Sequence, residues 1–353
     1  MDDVLATLVL PDHTLGILAV LVAKVTILQS ESNDEPLEYE QMISRIRDFF
    51  DVCSGEQIRS GSDLFATLCH QFTQIMMETG RAIKGISALI RAIQKVQLHP
   101  AQLTSIHSDL CLLSLTAKCV KPALPILAID VTDISKENGH FDVKYFLQYY
   151  YYGGIIYSAV KQFERALYFF QSALTTQSMA VSHIMIEAYK KYLLVSLILH
   201  GKVSSLPKYT PQVVSRFIRP SCSYYHDLVL AFNTNSPEEV RSVMARYANR
   251  FQADRNEGLV KQVLESLHKK NIQRLTKTFL TLSLTDVASR ALIPDEVEAE
   301  DRLVNMVRVI SLTKKRCFLI CFSLDRVRRH LCRSQPKGRD GLLPGQSREV
   351  QLE

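Results

Sequence analysis

The sequence predicts an all-α fold assembled from helical repeats, on three observations. Apolar residues recur at spacings of three and four, as in Leu103, Ile106, Leu110 and Leu113, or Tyr189, Leu193, Leu197 and His200. That is the period of one helix face. Two-residue alternation over a useful length is missing, and 13 glycines and 12 prolines in 353 residues are too few for the turns of a many-stranded β protein. The third observation is one helix–turn–helix unit, Tyr150 to Ala173, whose small and aromatic residues fall where two packed helices need them. A composition of 47% hydrophobic and 22% charged residues is that of a chain with a core, which excludes disorder throughout.

Taken in order, the first element is the apolar run from Leu15 to Leu28. It has 14 residues and contains Lys24, whereas a membrane span needs about 20 apolar residues. It therefore reads as a buried helix, with Asp12 placed to cap it. Met1, Asp2 and Asp3 make an acidic start, unlike the basic start of a secretory signal. Helices of roughly 10–20 residues with short connections are expected throughout. Ser236-Pro237-Glu238-Glu239 sets a cap residue, a first-turn proline and two acids at the positive end of a helix. Leu284-Thr285-Asp286 and Pro294-Asp295-Glu296 resemble two further starts.

The repeat unit matches the tetratricopeptide pattern. Tyr150, Gly154 and Tyr157 fall at its first-helix offsets, Ala166, Phe170 and Ala173 at its second-helix offsets, and Phe163 is expected to fill the turn. Gly154 and Ala166 are small where the helices approach; Tyr157 and Phe170 fill space between hairpins. Weaker echoes lie around Gly85/Leu89/Ala92, Ala123 and Ser205, at irregular intervals of 38, 43 and 39 residues. The expected architecture is a solenoid of degenerate units, which buries its core between neighbouring hairpins and leaves a concave face for protein partners. The alternative is a generic helical bundle with a chance match.

Chemistry is expected to be sparse. No phosphate loop, G-x-G-x-x-G, H-E-x-x-H or G-x-S-x-G occurs, so no catalytic, cofactor-binding or metal site is expected and the chain is not read as an enzyme. Eight cysteines without a C-x-x-C, several in helical apolar patterns, and no glycosylation sequon favour a reducing compartment. Cys317, Cys321, His330 and Cys332 match no zinc spacing. His70, His183 and His200 read as hydrogen-bonded packing residues. Tyr149–Tyr152 point in four directions around a helix, so they read as packing rather than a base-stacking platform. Lys190-Lys191 and Lys269-Lys270 read as solvated faces. The net charge of +6 is a property of the tail: residues 301–353 carry 12 Lys/Arg against 5 Asp/Glu, and residues 1–300 carry 30 against 31. That removes the main support for nucleic-acid binding by the body.

Four blocks resemble one family: Leu103–Ala117 (LTSIHSDLCLLSLTA), Tyr149–Tyr157 (YYYYGGIIY), Ala180–Thr210 and Lys269–Arg290 (KKNIQRLTKTFLTLSLTDVASR). They are similar to the third-subunit family of the COP-nine signalosome, over about Asp12 to Val307. That family belongs to the PCI group, in which helical repeats precede a winged-helix subdomain. The resemblance implies a non-catalytic scaffold whose partners are the other signalosome subunits and, indirectly, cullin-RING ligases. Their complex removes the ubiquitin-like modifier NEDD from cullins. The resemblance also implies a cytoplasmic and nuclear location, no cofactor and no small-molecule substrate. On this reading residues 1–235 are helical repeats and 236–307 the helical part of a PCI module. Leu275, Phe279, Leu282, Val287 and Ala288 would fill its core helices, and Leu303 and Met306 the last helix before the wing.

After Val307 the resemblance stops. Residues 308–333 are basic and apolar and lack the glycine and turn residues of a β-hairpin, so the winged-helix hairpin is expected to be missing. Lys314-Lys315-Arg316, Arg326, Arg328-Arg329 and Arg333 flank the apolar Cys317–Leu324, a pattern open to a membrane-surface or nuclear-targeting reading. Residues 334–353 read as disordered. Two alternatives to the scaffold arise: an assembly-deficient or competing truncated isoform, and, remotely, a PCI-type nucleic-acid adaptor using the tail.

Overall fold

The computed structural model describes residues 8–9, 12–30, 36–136, 141–279, 282–293 and 295–312. Among them are seventeen α-helices, one π turn and two two-residue strands, so the all-α expectation holds. The divergent segment enters the described residues only at 308–312, which continue the last helix; its remainder, the disorder expected of 334–353, the winged-helix region and the Cys317/Cys321/His330/Cys332 group lie outside them.

The described residues form two compact units: 8–234 with 238–264, and 235–237 with 265–312. The first unit begins with α1 (Thr14–Ser30), α2 (Pro36–Val52), α3 (Gly55–Ser60), α4 (Ser62–Glu78) and α5 (Ala82–Val96). Then come α6 (Ile106–Thr116), α7 (Leu124–Leu127), α8 (Val143–Ala159), α9 (Phe163–Thr175) and α10 (His183–His200). A π turn (Val214–Ile218), α11 (Arg219–Ser221), α12 (Ser223–Asn233), α13 (Pro237–Arg246), α14 (Ala248–Ala253) and the start of α15 (Glu257–Thr278) complete it. Helices α4, α6, α8 and α10 each touch the next, and α5 and α9 each also pack on the helix that opens the following hairpin. This is the solenoid order, with the core made between neighbours. Its N-terminal end is aromatic: Phe50 lies edge-on to Phe65 at 5.4 Å and to Phe72 at 5.6 Å, all fully buried.

The repeat is legible in its turns. Gly80, Lys118, Lys161 and Gly201 all have positive φ, at intervals of 38, 43 and 40 residues. After the first three the chain closes with the same six-residue hydrogen bond: Arg81 N to Met76 O, Cys119 N to Ser114 O and Gln162 N to Tyr157 O. Arg255 and Leu292 repeat it with Asn256 N to Phe251 O and Ile293 N to Ala288 O. The echoes at Gly85, Ala123 and Ala166 thus each lie five residues beyond such a turn. The echo at Ser205 is corrected: Ser205 is exposed in an irregular stretch after Gly201, with no second helix there. Phe163 opens α9 rather than filling the turn, which is made by Val160–Gln162. Side chains at Lys161 and Arg255 crowd the backbone in this conformation, a cost of about 1 kcal/mol offset in part by the freer unfolded chain of a glycine. Lys161→Gly and Arg255→Gly should each raise stability by about 0.5 kcal/mol, read from denaturation midpoints at unchanged slope.

Three expectations needed correction. Several helices are far shorter than ten residues, α3, α7, α11 and α14 among them. Gln102–Leu103 and Asp133–Ile134 make a parallel bridge too short to leave a periodic trace. His183 and His200 are not packing residues: they occupy the first and last positions of α10, where the apolar stripe no longer covers them. His70 instead bonds Asp109 Oδ2 through Nδ1 at 2.5 Å and stacks on Tyr145 at 4.6 Å.

His107, at the start of α6, is buried between Thr104 and Gln97, and burial lowers its pKa to about 4. A neutral imidazole in the folded state and an ordinary one in the unfolded state make the sign definite. Its contribution is intact above pH 6.5 and is lost as pH falls toward 4, by about 3 kcal/mol in all. His107→Gln should flatten the pH dependence of stability over that window; an unchanged slope would contradict a neutral buried imidazole.

The second unit holds the end of α15, α16 (Leu284–Arg290) and α17 (Glu296–Leu312). Ser283 caps α16 by accepting from Asp286 N at 3.1 Å.

Candidate functional site: the hairpin interfaces and a buried ionic clasp

The residues singled out between Tyr150 and Ala173 come together at the α8–α9 interface. Tyr150, Gly154 and Tyr157 on α8 and Ala166, Phe170 and Ala173 on α9 are all buried; Phe163 is half-buried. The glycines make the close approach possible. A Cβ on Gly154 would sit 2.5 Å from Phe170 Cε1, and one on Gly153 would sit 2.5 Å from Phe169 Cε1. Each ring lies in the groove that one missing side chain opens. Phe169 also meets Tyr150 at 5.2 Å and Tyr157 at 5.1 Å, so the tyrosine run is packing. Tyr149 and Tyr150 are buried; Tyr151 and Tyr152 are half-buried. Arg165 ties α9 to the stretch after α7, donating to Asp130 Oδ1 at 2.9 Å and Ala128 O at 3.1 Å.

The residues assigned to a PCI core lie in the second unit. Val287, Ala288 and Leu303 are buried with Ile272, Ala291, Ile293 and Ala299; Leu275, Leu282 and Met306 pack against them, partly exposed. Phe279 lies under the Arg290 guanidinium, 4.5 Å from its ring centre.

Lys190 and Lys191 are not a solvated face. Both are 7% exposed, held in a clasp that joins α10 to α12 and α14. Lys190 Nζ donates to Glu187 Oε1 at 2.6 Å and to Asp254 Oδ1 at 2.8 Å. The other oxygen of Asp254 accepts from the hydroxyls of Tyr224 at 2.8 Å and Tyr225 at 3.0 Å. Lys191 Nζ donates to Asn256 Oδ1 at 2.9 Å and lies 5.3 Å from the Tyr151 ring, and Asn256 Nδ2 donates to Tyr225 Oη at 2.7 Å. Two cations and two carboxylates balance, which is why the group tolerates burial. Burial alone would raise the Asp254 carboxyl, but hydrogen bonds from Lys190, Tyr224 and Tyr225 outweigh it and hold its pKa below the ordinary value. Burial likewise opposes charge on Lys190, and its bonds to Asp254 and Glu187 reverse that. Lys191 has a weaker partner set, so burial wins and its pKa is lowered. Sequence reasoning missed the clasp because its halves lie about 65 residues apart. The available signal was local: Lys190 and Lys191 sit inside an 18-residue helix otherwise apolar along most of its length.

Among the described residues no group of three or more His, Cys, Asp or Glu side chains could hold a metal, and no helix is long and apolar enough to cross a membrane. The five described cysteines form no disulfide with one another, and burial raises the thiol pKa of Cys53, Cys111 and Cys222. What the elements define is a helical-repeat protein whose aromatic and charged side chains serve packing between hairpins.

The particular family is shown by comparison. The family described as COP9 signalosome complex subunit 3, N-terminal helical repeats, matches residues 1–214. The COP9 signalosome complex subunit 3 of Drosophila melanogaster is 48% identical over 323 residues, covering 87% of this chain and 72% of the relative. That of Dictyostelium discoideum is 34% identical over 309 residues, with the same two coverages. The chain belongs to the COP9 signalosome subunit 3 family.

Proposed function

We propose that this chain is a non-catalytic scaffold subunit of the COP9 signalosome, in cytoplasm and nucleus, that supports removal of NEDD from cullin-RING ligases through contacts with the other subunits. The observation that carries this reading is the alignment over 87% of the chain with subunits bearing that name. It is supported by polar groups used for packing, as in the clasp, rather than gathered around a reactive centre. In the same reading residues 1–235 supply the repeats, and α15 to α17 within 236–307 supply the helical part of a PCI module. The separate core around Val287 and Leu303 supports a PCI part over residues 265–307, whereas 238–264 pack with the first unit.

The test is reconstitution. The chain is co-expressed with the remaining signalosome subunits, beside a version carrying the family's winged-helix ending. The complexes are sized by chromatography and assayed on neddylated cullin. Co-elution of this chain with an active complex is the expected result. Co-elution of the version with the family ending alone would overturn the reading and favour a competing isoform. A complex equally complete and active without any form of the chain would overturn it too.

A further inference from the structure

Behind the α10 C-terminus the chain runs irregularly from Gly201, enters the π turn and returns through α12. These segments enclose a cavity of about 470 Å³, ample for one or two side chains of a ligand. Leu206, Val214 and Val229 line its apolar part. Its polar part is Tyr189, His226 and Arg219, with Tyr189 Oη 3.3 Å from His226 Nε2. Burial first, and the neighbouring Arg219 second, lower the His226 pKa, so this imidazole is neutral at neutral pH.

Three features mark the cavity as a binding site. First, Arg219 is exposed at its edge, and no carboxylate among the described residues lies within ion-pair distance of it. Second, residues 201–226 carry no Asp or Glu, and of their four basic side chains only Arg219 lines the cavity; the next acid in sequence, Asp227, accepts from the Tyr247 hydroxyl at 2.8 Å. Third, the π turn at Val214–Ile218 is a rare geometry concentrated at functional positions. It leads directly into Arg219, with Ser215 one helical step before it, and both line the cavity. Beside it Tyr209 and Phe217 are 65% and 51% exposed, so apolar contact area continues outside. A single guanidinium beside Leu206, Val214 and Val229 matches one carboxylate with apolar neighbours.

We propose that this cavity docks a partner polypeptide through an acidic residue flanked by apolar side chains, the carboxylate meeting Arg219 and an apolar neighbour entering between Leu206, Val214 and Val229. This goes beyond the assembly reading and does not depend on it, because the test uses the full chain alone.

The probe is a fluorescein-labelled peptide, Gly-Leu-Asp-Leu-Asp-Phe-Gly, with a twin in which both aspartates are asparagines. Binding is followed by anisotropy at low salt. The acidic peptide should bind at least about tenfold more tightly than its twin. Arg219→Gln should erase that difference, and Ser205→Trp, an exposed position on the cavity wall, should weaken both peptides. Arg216→Gln, outside the lining, should leave binding within about twofold of the parent. Equal binding of the twins, no binding of either, or an equal loss from Arg216→Gln and Arg219→Gln would overturn the proposal. So would displacement of the peptide by oligouridylate at lower concentration than by unlabelled peptide, which would make the segment a nucleic-acid surface.

Discussion

Asp254→Ala should lower stability by about 3–5 kcal/mol, the loss typical of breaking a buried ion pair from one side. The substitution leaves Lys190 with Glu187 alone and strips the hydroxyls of Tyr224 and Tyr225 of their shared acceptor. Asp254→Asn should cost less, since it keeps an acceptor for the tyrosines while leaving two cations against one carboxylate. Lys190→Met combined with Asp254→Leu should be milder than Asp254→Ala, because no charge is then buried without a partner. Far-ultraviolet circular dichroism in urea reads all three; the chain has no tryptophan, so fluorescence is the poorer probe. The depressed Asp254 pKa adds a sign. Its contribution is complete above the ordinary carboxylate range and is lost as pH falls through its lower folded value. The stability gap between the parent and Asp254→Asn should therefore narrow as pH falls through and below the ordinary carboxylate range.

Gly154→Ala should cost about 2 kcal/mol, although alanine is the better helix former by about 1 kcal/mol. The added methyl would lie 2.5–2.8 Å from three carbons of the fully buried Phe170 ring, which has helices on both sides and no room to retreat. Adding Phe170→Leu should recover at least half of that loss, since a smaller side chain vacates the space. Additive losses in the double mutant would show that the ring is not what meets Gly154.

Much of the fold was legible in the residues alone. The three-and-four period set the class, and the small–aromatic alternation from Tyr150 to Ala173 marked one hairpin, although Phe170 packs on Gly154 inside that hairpin rather than between hairpins and Phe163 opens α9 rather than filling the turn. Local patterns could do so because both partners of that interface lie within 24 residues. Ser205 misled for the opposite reason. The interval from Ala166 was right, but Gly201 leads into an irregular stretch and a π turn, and spacing alone does not reveal a missing helix. The clasp was illegible because a lysine pair is most often solvated, and only the return of α14 to α10 supplies Asp254 and Asn256. His183 and His200 share the apolar stripe of α10, but a stripe says nothing about where a helix leaves its neighbours.

The most direct test of the central claim, that hairpins distant in sequence form one continuous packed frame, is native-state hydrogen exchange on the full chain. Amides of α8, α9, α10 and α12 and of residues 257–264 should open together with one free energy, and Asp254→Asn should lower that energy for all of them alike. Faster exchange confined to α14 and the first half of α10, with α8 and α9 unchanged, would contradict a continuous frame and reduce the clasp to a local contact.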